Sequence, residues 1–164
     1  MTTSIGKVMT EKLETINISS SAQEASKKMR DKNVSSLVVI DNNDKPIGIV
    51  TERDLVRKVC VNDASSKSMI IQHIMSSPIV TIDSGSPVGA AADVMIQNRV
   101  RHLLVVKDND INNVQGIITP TDFAAYLKEN LNMDEVNSKI LESLMEEGKD
   151  EPKLVADGTD RKNL

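Results

Sequence analysis

The 164-residue chain contains no tryptophan, one phenylalanine, one tyrosine and one cysteine. With only Phe123 and Tyr126 as rings, the stacking platform that single-stranded nucleic acid uses is missing. A flat ligand must therefore be held by aliphatic walls and hydrogen bonds. Cys60, standing alone, excludes an intramolecular disulfide and a thiolate-rich zinc site. It is read as a small buried side chain, because no histidine or other base lies within sequence reach to make it a nucleophile. No apolar run approaches the ~20 residues of a membrane span, and the first ten residues lack the apolar stretch of a signal peptide, so no membrane partner and a reducing cytoplasm are expected. Positive charge is also in deficit. The formal charge is -4 and the pI near 5.2, the wrong sign for a protein that coats phosphate backbones, so nucleic acid is not an expected partner. Residues 1–131 hold 15 acidic and 15 basic side chains, whereas residues 132–164 hold 9 and 5, which places the whole excess in the C-terminal stretch.

What is present is a repeat. Ile5-Gly-Lys-Val-Met9 lies over Ile71-Gln-His-Ile-Met75 at an offset of 66, and the same register aligns Thr15-Ile16 with Thr81-Ile82, Ala25 with Ala91, and Met29 with Met95. After a turn two residues longer in the second copy, Gly48-Ile-Val-Thr51-Glu-Arg-Asp54 lies over Gly116-Ile-Ile-Thr119-Pro-Thr-Asp122 at an offset of 68.

Each copy reads as β-α-β-β-α. Ser21 with Glu24 is a capping-box signature, and Ser86 followed by Pro87 reads as an N-cap with proline at the first helical position, so helices are expected from about residues 21 and 87. Leu37 to Ile40 and Leu103 to Val106 are runs of strand formers. Asp41 to Asp44 and Lys107 to Asn113 read as polar turns, leading into strands Pro46 to Val50 and Val114 to Ile118. Thr51 and Thr119 then read as N-caps of helices over 52–59 and 120–129. First strands are expected around residues 14–18 and 79–83. A unit of this size cannot bury its own sheet face, so the two copies are expected to pack on each other with clefts between them. Met133, Val136, Ile140, Leu144 and Met145 recur at helical spacing and predict a further helix ending at Gly148.

The doubled Gly-h-h-Thr-x-x-Asp, with h aliphatic, is the most specific chemical signal. A glycine admits close approach of a ligand or of a neighbouring backbone. A hydroxyl and a carboxylate three residues apart on a first helical turn face the same way and can grip the vicinal diol of a ribose. Thr-x-x-Asp is equally a capping pattern that needs no ligand. Ahead of the second-copy strand stands Arg99-Val-Arg101-His102, where guanidinium and imidazole can receive phosphate; the first copy offers Asn33-Val-Ser35-Ser36 and no charge. The alternative is that Arg101 pairs with a surface carboxylate and His102 is solvated. No metal constellation and no nucleophile-base set stands out, so no metal, no catalytic residue and no enzymatic activity are expected.

These residues together resemble a tandem pair of CBS domains, the modules named after cystathionine beta-synthase. The resemblance runs over about residues 4–128 and rests on Val8-Met9-Thr10 with Ile74-Met75-Ser76, the Ser21 and Ser86 helices, Val34 to Leu37 with Val100 to Leu103, and the two Gly-h-h-Thr-x-x-Asp motifs. It implies an α+β fold of two pseudo-twofold-related repeats, over 4–60 and 70–128, joined by a linker at 61–69. A C-terminal helix over 129–148 and a flexible acidic tail over 149–164 follow. It also implies adenine nucleotide, AMP, ADP or ATP, or sometimes S-adenosylmethionine, in two clefts. One cleft would use Thr51 and Asp54 with Ile79, Val80, Val100, Arg101 and His102; the other Thr119 and Asp122 with Val34, Ser35 and Ser36. Family pairs also form homodimers, for which the small-residue helices around Ala22, Ala25 and Ala91 would suit. The implied role is a stand-alone energy sensor signalling to a regulated protein of unknown identity, with a ligand-free dimerisation scaffold as the alternative.

Overall fold

A computed structural model describes residues 3–147 of the chain. It divides into two compact units, Met1–Tyr126 and Leu127–Leu164. In the first unit, β1 (Thr15–Asn17), α1 (Ala22–Lys32), β2 (Ser36–Ile40), β3 (Pro46–Thr51) and α2 (Glu52–Asp54) form the first repeat, and α2 continues as a π-helical stretch over Leu55–Cys60. The short α3 (Ile71–Ile74) leads into β4 (Thr81–Asp83), α4 (Val88–Asn98), β5 (Leu103–Lys107), β6 (Asp110–Ile118) and α5 (Pro120–Asn130). Each repeat carries one three-stranded sheet, β1-β2-β3 and β4-β5-β6, with its first pair parallel and its second antiparallel. The mixed α+β architecture is the one the repeat implied.

The local signals explain the elements. Ser21 caps α1 through a complete capping box: its hydroxyl accepts from Glu24 N–H while the Glu24 carboxylate accepts from Ser21 N–H at 2.7 Å. The second repeat differs by one residue. Pro87, not Ser86, is the N-cap of α4, extended at φ -65° and ψ 147°, because the residues there are held by the start of the chain: Val88 N–H donates to Thr3 and Ile5 N–H to Ser86. The polar turn expected over residues 107–113 is also shorter. Asp108 and Asn109 both take positive φ, 56°, so a tight hairpin forms and β6 begins at Asp110. The Asp83 carboxylate accepts from Gly85 and Asn109 N–H, tying β4 to that hairpin, and these bonds hold its acidity above that of an ordinary aspartate.

Two cores result, and they are crossed. Ile71 and Ile74 are buried with Ile16, Ala22, Ala25, Met29, Leu37, Val39 and Val50 of the first repeat. Ile5, their counterpart at the chain start, is buried with Ile82, Ala91, Met95, Leu103, Val105 and Ile118 of the second. Backbone pairs stitch the crossover: Ile49 with Ser76, and Thr10 with Ile117. A third cluster of Val38, Leu104 and Val106, with Leu13, Ile79, Ile111 and Val114 against it, joins the two sheets. Ala22, Ala25 and Ala91 are fully buried inside these cores, so the small residues of α1 and α4 let the helices lie close on their own sheets and are not available to a dimer interface. Cys60 is exposed rather than buried: Val59 takes the inward position at the end of the π-helical stretch and its neighbour faces out.

In the second unit, α6 (Met133–Glu147) forms where the apolar spacing predicts it, with Ile140, Leu141 and Met145 exposed. Gly148 and the acidic tail over 149–164 lie outside the described residues. Among the described residues no helix is long and apolar enough to cross a membrane.

Candidate functional site

The two Gly-h-h-Thr-x-x-Asp motifs sit where a strand of each sheet passes into a helix. In β3, Gly48 pairs with Val39; in β6, Gly116 pairs with Val105. What approaches these glycines is protein. A Cβ on Gly48 would lie 2.7 Å from the Ser76 carbonyl oxygen and 3.0 Å from the Met75 sulfur, and one on Gly116 would lie 2.5 Å from the Thr10 carbonyl oxygen and 3.0 Å from the Met9 sulfur. Of the two approaches open from sequence, the neighbouring backbone is the one realised.

Both hydroxyl-carboxylate pairs form, the first as a complete capping box. Thr51 donates to Asp54 Oδ2 from both its N–H (2.9 Å) and its hydroxyl (2.8 Å), and Asp54 N–H returns a bond to Thr51 Oγ1. Thr119 does the same to Asp122 Oδ2 at 2.7 and 2.9 Å. The second carboxylate oxygens differ. Lys58 Nζ stands 3.0 Å from Asp54 Oδ1 and also donates to the Ile74 carbonyl, whereas Asp122 Oδ1 accepts from the Thr10 hydroxyl at 2.8 Å. Each carboxylate oxygen has two lone pairs, so capping leaves acceptor capacity for a ligand hydroxyl.

Above the first pair opens a cleft of about 280 Å³. Thr51, Asp54, Ile79, Val80, Val100, Arg101 and His102, which come from both repeats, all line it. Sequence reasoning missed Arg53, Arg99 and Ser76 on the same wall. Arg53 occupies one of the two unspecified positions of the Thr-x-x-Asp motif. Arg99 takes a left-handed backbone, φ 55°, after α4, as its counterpart Asn33 does after α1. None of Arg53, Arg99 and Arg101 makes an ion pair or side-chain hydrogen bond among the described residues, so Arg101 does not take up the surface pairing that the alternative supposed. His102 is half-buried, and desolvation, reinforced by the Arg101 charge, pulls its pKa below the ordinary histidine value, while Asp54 and Asp122 oppose this. Its imidazole is neutral at pH 7 and presents one donor and one acceptor.

The second cleft, of about 230 Å³, is lined by Thr119, Asp122, Val34, Ser35 and Ser36. Ser35 is shared with the first cleft. The sequence left this side without a cation; the fold brings in Lys12 from the segment before β1, although Lys12 lies 3.6 Å from Glu14, also on the wall. Nothing in the local pattern around Ser35 could reveal a lysine more than twenty residues away.

The family profile of the CBS domain matches residues 5–60 and 71–129. An uncharacterized protein of Methanopyrus kandleri is 35% identical over 119 residues, 73% of this chain, and the chain spans only 60% of that protein's length. An uncharacterized 17.7 kDa protein of Acidianus ambivalens is 32% identical over 127 residues, covering 77% of this chain and 74% of the relative. The crystal structure of an uncharacterized conserved protein from Pyrococcus horikoshii superposes with a TM-score of 0.72 at 30% identity, over 80% of this chain and 97% of its own. Two in-register repeats, crossed on each other's sheets and matched in profile and fold, place the chain in the CBS-domain family, whose pairs are in general regulatory ligand-binding modules.

Proposed function

We propose that the chain is a regulatory module that binds an adenine nucleotide, AMP, ADP or ATP, in the first cleft, and that occupancy reports energy state to a regulated protein. The observation that supports this best is the convergence on one cavity of a hydroxyl-carboxylate pair, aliphatic walls from the opposite repeat, and three arginines without partners among the described residues. The ribose diol falls to Thr51 and Asp54. Ile79, Val80 and Val100 take the base between aliphatic surfaces in the absence of any aromatic ring. The phosphates fall to the arginines, whose planar forks suit bidentate oxygen pairs. The cleft volume lies at the lower edge of ordinary ligand sites, which suits a mononucleotide. S-adenosylmethionine is the weaker reading, since its sulfonium would enter a cleft where three arginines outnumber Glu52 and Asp54, the latter already beside Lys58.

The second cleft, with its one lysine already beside Glu14, is the weaker phosphate site in this proposal. Binding carries no catalytic step. A ligand shifts a partner equilibrium only by its unequal affinity for two states, typically ~1–3 kcal/mol. A homodimer in the cytoplasm is the assembly proposed, supported by Val56 on the helical stretch after β3 and Val61 just past its end, both exposed.

Calorimetric titration with AMP, ADP, ATP and S-adenosylmethionine tests the reading. Asp54→Ala is expected to abolish the tighter phosphate-ligand site and Asp122→Ala only the weaker one. Nucleotide affinities unchanged in both variants would remove the ribose assignment, and no heat or thermal shift with any adenosine ligand at millimolar levels would leave the ligand-free scaffold.

A further inference from the structure

The two clamp carboxylates are held by different means. Thr51 places both of its donated bonds on one oxygen of Asp54, Oδ2. A carboxylate pinned at one oxygen can still pivot, because its terminal torsion is broad and roughly two-fold. The other oxygen is fixed by Lys58, whose Nζ stands 3.0 Å from Asp54 Oδ1 and also donates to the Ile74 carbonyl. Ile74 is the last residue of α3, where a carbonyl has no intrahelical donor, and its side chain is buried in the first repeat's core. The same segment continues into Ser76, Pro78, Ile79 and Val80, which line the cleft. One ammonium thus spans from the hydroxyl-carboxylate pair of the first repeat to the wall contributed by the second. Of the two carboxylates lining this cleft, Glu52 and Asp54, only Asp54 is ion-paired among the described residues. Its side chain is only 13% exposed, so solvent screens that pair weakly. In the second repeat the counterpart of Lys58 is Tyr126, and Asp122 Oδ1 accepts instead from the neutral Thr10 hydroxyl.

We infer that Lys58 is a positioning residue of the first cleft: it anchors Asp54 Oδ1 against the segment that carries Ile79 and Val80, so that the cleft reads both hydroxyls of a ribose and discriminates against 2′-deoxyribose. The inference rests on the nucleotide reading and adds a sugar specificity to it. An unanchored carboxylate turns to whichever single hydroxyl is offered, and the other hydroxyl then adds little. An anchored one keeps an unmet acceptor when the 2′-hydroxyl is missing, and an unmet charged acceptor in a half-closed site is costly. Lys58 itself needs no contact with the ligand. Its ammonium also balances Asp54, so that Glu52 alone opposes the three arginines at a phosphate. That charge effect is indifferent to the sugar, which makes the two separable.

The test is calorimetric titration of the full chain with AMP and with 2′-deoxy-AMP, first unsubstituted and then carrying Asp122→Ala to silence the second cleft. With Lys58 intact, AMP is expected to bind at least about tenfold more tightly than 2′-deoxy-AMP. Lys58→Met keeps the aliphatic stem and removes the ammonium. It is expected to bring the two ligands within about threefold of each other, chiefly by weakening AMP. Lys58→Gln, a second neutral variant in case Lys58→Met does not fold, is expected to do the same, and circular dichroism melts check the fold of each. A role confined to packing or to charge weakens both ligands by one factor and leaves their ratio unchanged; that result in a folded variant overturns the positioning role. Equal affinity for the two ligands with Lys58 intact overturns it as well, and in either case AMP binding itself keeps the nucleotide reading standing. An unsubstituted chain that binds neither ligand removes that reading, and the sugar specificity with it.

Discussion

At Gly48 and Gly116 a single added methyl group meets main chain. The neighbouring carbonyl oxygens, Ser76 and Thr10, belong to the paired segments that stitch the two repeats and cannot swing away as a flexible side chain would. Gly48→Ala and Gly116→Ala are each expected to destabilise the fold by roughly 1–3 kcal/mol in thermal or urea melts. Gly89→Ala, in α4 with nothing within 4 Å of its added carbon, is expected to change stability in the opposite direction by about 0.5–1 kcal/mol. His102 carries a different signature. Folding holds its pKa below the ordinary value, so as pH falls the unfolded chain takes up the proton first. Its contribution is therefore fully present above the ordinary histidine pKa of about 6.5 and declines as pH drops below it. The part of the acid-side loss that disappears in His102→Gln measures it. If phosphate binds beside it, the imidazole regains its proton, and calorimetry at pH 6 in buffers of different ionisation heat is expected to show proton uptake that His102→Gln removes.

Among the elements, the corresponding helices α1 and α4 start by different means. The α1 helix begins in a complete capping box and carries a polar outer face, whereas α4 begins at a proline with no side-chain cap, its entry pinned by Thr3 and Ser86. Ser21→Ala is expected to cost about 1 kcal/mol. Ser86→Ala is expected to cost far less, because Ser86 serves through its carbonyl, which alanine keeps. Comparison of the two urea midpoints at constant m-value checks this. The helices, the central strands and the hydroxyl-carboxylate pairs were legible because they are local: periodicity, capping residues and turn clusters operate within a few residues. The hairpin was not legible, because Asp108 and Asn109 accept the left-handed conformation that permits a two-residue turn, and a run of polar residues does not say which two will turn. The choice between buried and exposed for Cys60 was likewise out of reach, since a π-helical stretch shifts the face on which each residue falls.

Across the whole molecule, each repeat's opening segment fills the other's core. Ile5 is wholly buried against Ile82, Leu103 and Ile118, although by sequence it opens the first copy. Ile5→Ala is therefore expected to cost about 2–5 kcal/mol and to leave unfolding a single cooperative transition, since neither core is complete without the other's chain. Two separated transitions by circular dichroism would contradict the crossed cores.

The duplication, the α+β alternation and the hydroxyl-carboxylate pairs Thr51–Asp54 and Thr119–Asp122 were determined by the sequence alone, because each is a matter of spacing along the chain. Tertiary structure alone decided the rest. It set the backbone of Ser76 and Thr10 over the glycines, brought Lys12 to the second cleft, and gathered Arg53, Arg99 and Arg101, without partners among the described residues, on one wall of the first cleft. Those relations join residues tens of positions apart, and only the burial of two sheets against each other brings them together.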